Sequence, residues 1–364
     1  MTRNTHHFEI PAETGRTEVD REVIARTLIG LMNNANVGGI VLLAVKSGAG
    51  SAYKNMCAER FEEEARKTGK PFRIVYLTNV GGSYNMLGET LRLTREVLLE
   101  VSDFRRENCP LSALTLGVKC GTSDATSGIA GNPCVGAAFD QLIRAGGTAF
   151  FSETTEIIGA EDVVAKRAVN ESVAKKILST ARHWEDKAKA TGEDIRKINP
   201  IPANIAAGIS SLEEKSLGAI AKSGTSPIQD VLKYAEMPKG SGLYFVDSWM
   251  SSLSLPLCLT ACGATIMLYQ MGGGKIAQHP MMPSINPTVV SPFLYLTGNA
   301  IAYSRAPDNF DFDASPIMTE GASIPEMGTK LLEHLSAIAS GTMTKMETLN
   351  YAEQLELYME GPVL

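Results

Sequence analysis

Residues 116–154 read LGVKCGTSDATSGIAGNPCVGAAFDQLIRAGGTAFFSET. LSALTLGVKCG, which begins five residues earlier, reads as a strand ending in a glycine turn. NPCVGAAFDQLIRAGG reads as a helix closed by glycine, and TAFFSET as the next strand. Strand, helix and strand in that order point to a parallel sheet with helices on its faces. The same alternation runs through the preceding hundred residues. Val19–Asn33 has helical spacing, GGIVLLAV is a short apolar run, and Tyr53–Thr68 is a polar-faced helix. FRIVYLTNV and a helix over Leu87–Glu100 follow.

Downstream, helical spacing covers Glu161–Ala190, NPIPANIAAGISS is a loop, and LEEKSLGAIAKSG is a short helix closing on Gly224. GLYFVDS is a strand, while LCLTACGATIMLYQ is a buried strand or helix that periodicity does not settle. Residues 272–316 are rich in Gly, Pro, Asn and Ser and read as site-forming loop. Two amphipathic helices close the chain, over Met327–Ala339 and Met346–Tyr358. The expectation is two parallel-sheet α/β domains with helices on both faces, residues 1–108 and 109–364, plus a C-terminal helical tail.

The chain has 364 residues, 44% hydrophobic and 20% charged, as befits a globular protein able to bury a sizeable core. Lys+Arg total 34 against Asp+Glu 40, a formal net charge of −6, and aromatics are 6%. That leaves no electrostatic footprint for nucleic acid. No apolar stretch reaches membrane-spanning length and no signal peptide opens the chain, so a cytoplasmic location is expected. Six cysteines without a Cys-x-x-Cys pair suggest reduced thiols rather than a disulfide framework or structural zinc.

Candidate chemistry sits where strands end. The loop after LGVKC crowds together Lys119, Cys120, Ser123, Asp124, Thr126 and Ser127. Gly121 and Gly128 would let backbone approach a small anion beside a helix N-terminus. Asp124, and Cys120 once ionised, suit a divalent metal, and Lys119 suits proton abstraction or a carboxylate. On spacing alone a plain turn held by Asx and hydroxyl hydrogen bonds is the better reading, because the loop matches no metal-ligand spacing. FFSETTEIIGAED carries Glu153, Glu156 and Glu161: Glu153, at the strand end, suits metal ligation or acid–base work as well as helix N-terminal charge, whereas Glu161 reads as helix N-terminal charge. Asn204, Glu214, Lys215 and Ser216 follow, and Asp247 ends another strand. MGGGK, with Lys275, lacks nucleotide-loop spacing, and His279 stands alone.

Together, KCGTSDATSGIAGNPCVG, GGTAFFSETTEIIGAE, ANIAAGISSLEEKSLGAIAKSGT and GLYFVDS resemble the altronate/galactarate dehydratase family in order and spacing. The resemblance implies a lyase that eliminates a β-substituent from a small anionic hydroxy acid, with a divalent metal, commonly Fe2+, or Mn2+ or Mg2+. It carries over Lys119, Ser123, Glu156 and Lys215 as catalytic candidates. Ser127, Asn204 and Lys275 are the substrate-binding candidates, and Cys120, Asp124, Glu153 and Asp247 the metal ligands. The family's opening Gly-Arg-Val-Gly-Val-Arg-Asn pattern has no counterpart, and MGGGK stands where Thr-Gly-Arg-Gly is usual, with Lys275 as stand-in for the Arg. This layout is similar to the sulfo-lyase branch, which eliminates sulfite from sulfolactate with a separate small subunit. A small partner subunit and a homo-oligomer are therefore expected. The alternative is a non-catalytic or partner-dependent subunit that binds a small organic anion.

Overall fold

A computed structural model describes residues 16–45, 54–273, 286–349 and 356–361. The first part runs α1 (Glu18–Asn33), β1 (Ile40–Ala44), α2 (Ala58–Lys67), β2 (Phe72–Tyr76) and α3 (Ser83–Ser102). β1 and β2 pair in parallel, from Ile40 opposite Phe72 to Ala44 opposite Tyr76. Thr17 caps α1, its hydroxyl accepting from the Asp20 amide at 3.1 Å.

The second part opens with β3 (Thr115–Gly121), α4 (Asn132–Arg144), β4 (Thr148–Ser152), α5 (Glu171–Ala190) and α6 (Leu212–Ile220). It continues through β5 (Ile228–Leu232), β6 (Gly242–Val246), α7 (Ser254–Ala261) and β7 (Ile266–Met271). β8 (Phe293–Thr297), β9 (Phe312–Asp313) and α8 (Ile324–Ala339) complete it. Its seven strands are all parallel, in the order β5-β6-β4-β3-β7-β8-β9.

Strand alternation sorts the side chains of this sheet onto two covered faces. Leu116, Val118, Phe151 and Leu268 pack with Phe139 and Leu142 of α4, Ile177 of α5 and Leu331 and Leu335 of α8. Their neighbours Phe150, Met267, Tyr269 and Phe293 point the other way, onto Leu255 and Leu259 of α7 and Val23 and Leu31 of α1. The expected parallel α/β architecture with helices on both faces is therefore present.

Several elements differ from the sequence reading. The run over 161–190 is two helices, Glu161–Ala165 and α5, because the intervening chain leaves helical geometry. There Ala168 bridges to Ile228, and the Asn170 side chain caps α5 through the Val173 amide. The undecided stretch 257–270 holds both structures: α7 ends, Gly263 turns at a φ of 112°, and β7 follows. Residues 286–316 are not simply loop but contain β8, β9 and a helix over Ala300–Arg305. Of the final expected helix, Lys345–Leu349 is helical, residues 350–355 lie outside the described ones, and 356–360 are irregular.

Candidate active site

β4 and β6 lie on one side of β3, and β7, reached much later in the chain, lies on the other. The carboxyl ends of β3 and β7 are thus a topological switch point, where open parallel sheets form their ligand crevice. The loop after β3 fills that place. Thr122 turns the chain in the left-handed region, at a φ of 46°, and its hydroxyl donates to the Gly272 carbonyl beyond β7 at 3.0 Å.

Asp124 organises the crossing. Its Oδ1 accepts from the Thr126 hydroxyl at 2.7 Å and the Ser127 amide at 3.0 Å. Its Oδ2 accepts from the Gly273 amide at 2.6 Å and Asn299 Nδ2 at 2.9 Å. One carboxylate so ties together the loops that follow β3, β7 and β8.

Beyond Asp124 the chain makes a wide π-turn, Ser127–Gly131, before α4 begins. This turn and α6 wall a cleft of about 540 Å³, lined by Ser123, Asp124, Ser127, Asn132, Glu214 and Lys215 among others. The walls approach closely because two glycines face each other: a Cβ on Gly128 would stand 3.0 Å from Gly218 Cα. Lys215 Nζ donates to the side-chain oxygens of Asn199 and Asn204, and Asn204 Nδ2 donates to the Ser123 carbonyl at 3.0 Å. Ser123, Ser127, Asn204 and Lys215, distant in sequence, are thus brought together.

A second group of polar residues is buried at the ends of β3 and β4. Lys119 Nζ donates to Glu153 Oε2 at 3.0 Å and to the Cys120 carbonyl at 2.8 Å, and lies 5.3 Å from the centre of the Tyr269 ring. Cys120 Sγ donates to Glu156 Oε1 at 2.9 Å, and Lys222 Nζ contacts both Cys120 Sγ, at 3.1 Å, and Glu156 Oε2. Glu153 adopts the left-handed region, with a φ of 78°, a strained geometry for a non-glycine residue. Two ammonium groups and two carboxylates make the cluster electrically balanced. Burial alone would discharge both lysines, but the facing negative charges overcome it and hold both pKa values above the ordinary range. Burial and the neighbouring Glu156 charge push Glu153 up; for Glu156 the same burial is outweighed by Lys222 and Lys119, and its pKa falls. Burial pushes the Cys120 thiol up to about 12.

The ligand set expected for a metal does not fit one as these side chains stand. Glu153, Glu156 and Cys120 already face ammonium groups, and both Asp124 oxygens are taken. Asp247 accepts from the Thr154 hydroxyl at 2.7 Å and Trp184 Nε1 at 2.8 Å, away from the cluster's hydrogen bonds. Among the described residues no three His, Cys, Asp or Glu side chains gather as a metal cage. Lys275 and His279 lie outside the described residues.

Sequence reasoning missed Lys222, Asn299 and Asn132. Lys222 is 1% exposed at the end of the apolar run LGAIAK. The one signal was that run: a lysine there has no polar face to occupy. Among the described residues no helix is long and apolar enough to cross a membrane, and all six cysteines are free.

Residues 111–362 match the family model for the C-terminal region of D-galactarate/altronate dehydratase, and residues 4–102 match that for the second domain of D-galactarate dehydratase/altronate hydrolase. The chain is 31% identical over 350 residues to (2R)-sulfolactate sulfo-lyase subunit beta of Chromohalobacter salexigens, covering 94% of this chain and 85% of that protein. It is 34% identical over 283 residues to the L-threo-forming galactarate dehydratase of Escherichia coli, covering 78% of this chain and 52% of the relative. To an altronate dehydratase of Bacillus subtilis it is 30% identical over 345 residues, covering 95% and 65%. It therefore spans only about half to two thirds of the two dehydratases.

Proposed function

The chain belongs to the D-galactarate/altronate dehydratase family, and from that premise we propose that it is a lyase acting on a small hydroxy acid. The reaction takes the proton from the carbon between the carboxylate and the leaving group, passing through an enediolate. Water or sulfite departs from the β-carbon, and the enol so formed tautomerises to a 2-oxo acid. Substrate and products balance without oxidant or reductant.

The observation that carries this reading is the placement of the Asp124 loop and its cleft at the β3/β7 switch point, with the Lys119–Glu153 pair buried behind the same strand ends. Ser123 and Lys215 line the cleft and offer hydroxyl and ammonium donors suited to a carboxylate. Lys119, held charged by the facing carboxylates, acts as a charge-stabilising or proton-donating group. Glu153, the carboxyl that burial and the Glu156 charge push upward, is the proton acceptor in this reading. The divalent metal expected from the resemblance has no fitting donor set in this cluster, and no step here runs through it.

The test is direct. The purified protein is incubated with altronate, galactarate or sulfolactate, with Fe2+, Mn2+ or Mg2+ supplied, and the 2-oxo acid is trapped as its hydrazone. Hydrazone from one substrate, abolished in Glu153→Gln, is expected; none from all three overturns the reading for the isolated chain. A second reading is favoured by one observation: the sulfo-lyase relative is named as a subunit. In that reading turnover requires a partner chain, and activity emerges only when a co-purifying small subunit is added.

A further inference from the structure

Asn132 is the first residue of α4, directly after the π-turn, and it lines the cleft. It is 1% exposed, and its Nδ2 donates to the Gly218 carbonyl on the opposite wall at 2.9 Å. That bond fixes which end of the amide is oxygen. The oxygen, Oδ1, is buried and has no hydrogen-bond partner among the described residues. A second open amide lies against the same turn. Gln270 of β7 is fully buried, both its amide atoms are unpartnered, and a Cβ on Gly131 would fall 2.3 Å from its Nε2. Buried polar atoms left unmatched are rare in folded proteins, and each calls for a water, an ion or a ligand to complete its bonding.

We propose that Asn132 is a substrate-contacting, specificity-determining residue of the cleft, its Oδ1 accepting a hydrogen bond from a hydroxyl group of the bound acid. The inference rests on the reading of the cleft as a hydroxy-acid site and adds which part of the ligand meets α4. An amide oxygen is an acceptor only. It cannot receive a carboxylate or a sulfonate, which have no proton to give, whereas a carbinol hydroxyl supplies the missing donor. The anionic end of the acid is then left to the Ser123 hydroxyl and the Lys215 ammonium group, and a hydroxyl-bearing carbon lies at Asn132. A site that hydrogen-bonds a hydroxyl rejects the analogue lacking it far more strongly than an apolar pocket separates shapes.

Calorimetric titration tests this without turnover. Galactarate is compared with adipate, the same dicarboxylate without hydroxyls, and sulfolactate with 3-sulfopropanoate. Wild-type protein is expected to bind the hydroxylated member of at least one pair about a hundredfold more tightly. Asn132→Ala should shrink that ratio to less than about tenfold, by weakening the hydroxy acid and leaving the deoxy analogue unchanged. If Asn132→Ala keeps the wild-type ratio, the proposal is overturned while the reading of the cleft stands. Should that variant fail to fold, Asn132→Ser takes its place with the same shrunken ratio expected, and equal wild-type affinity within both pairs overturns the proposal. If wild-type protein binds neither hydroxy acid, the reading of the cleft falls and the proposal falls with it.

Discussion

Lys222 shows what the buried cluster costs and contributes. It is 1% exposed and neutralises Glu156, itself 4% exposed, across 66 residues of chain. A buried ion pair adds little net stability over an apolar pair of the same shape, but breaking one leaves an uncompensated charge, which typically costs 3–5 kcal/mol. Lys222→Met should therefore lower unfolding free energy in urea by about 4 kcal/mol. The double variant Lys222→Met with Glu156→Leu should recover most of that loss. A single variant as stable as wild type would mean that Glu156 is not held as a carboxylate. Lys119, Cys120 and Glu153 were legible in the sequence because each stands at the end of an apolar strand-like run, and Glu156 because it follows shortly after one. Which of them touch was not legible. The family resemblance placed Asp124 and Glu153 together as metal ligands, whereas the fold gives Asp124 to the Gly273 amide and the Asn299 side chain of neighbouring loops and Glu153 to an ammonium group. Lys222 escaped notice because its partners, Cys120 and Glu156, come from a distant part of the chain.

At the scale of elements, legibility followed hydrophobic contrast. β3, α4 and β4 were readable because FFS and GVKC are apolar runs bounded by glycine and polar turns. β5, IQDVL, was missed because it is the edge of the sheet and carries Gln229 and Asp230, only partly buried. β8, FLYLT, is buried at every position, yet its short run was lost among the surrounding Pro, Gly and Asn. The contact of α1 with α7 was also beyond sequence reasoning, although one glycine marks it. A Cβ on Gly30 would stand 2.2 Å from the Ala261 carbonyl oxygen, which is backbone and cannot swing away. Gly30→Ala gains about 1 kcal/mol of helix propensity. Prising two helices apart costs about 1–3 kcal/mol or more, and with a backbone atom as the obstacle the upper part of that range applies. The clash wins. The variant is expected to unfold in urea with about 1–2 kcal/mol less free energy than wild type; a stabilised variant would show that α1 stands off from α7.

At the scale of the whole molecule, that same helix decides how the two sheets depend on each other. By sequence α1 belongs with β1 and β2, and the boundary expected near residue 108 falls beside the limits of the two matched family models. In space α1 covers the large sheet's second face, with Val23 and Leu31 packed among Leu255, Cys258 and Phe293. Asn34, just past α1, donates to the carbonyls of Thr260 and Ala264, both at 2.9 Å. Near the other end of the chain, the buried Asp20 carboxylate accepts from the amide of Gly361 at 3.0 Å. The α1 segment thus closes the apolar face of the larger part, and removing it would bare the α7 surface. A protein of residues 109–364 alone is expected to bind a hydrophobic dye that the full chain excludes, and to melt at least about 5 °C lower, since a loss of only a few kcal/mol shifts melting by that much. Calorimetry of the full chain should correspondingly give one transition, because α1 cannot leave the large sheet without exposing the core it covers. Two separated transitions, or a 109–364 fragment as stable as the whole, would mean that the α1 contact adds little, and that the sheets are coupled only by the chain between Ser102 and Thr115.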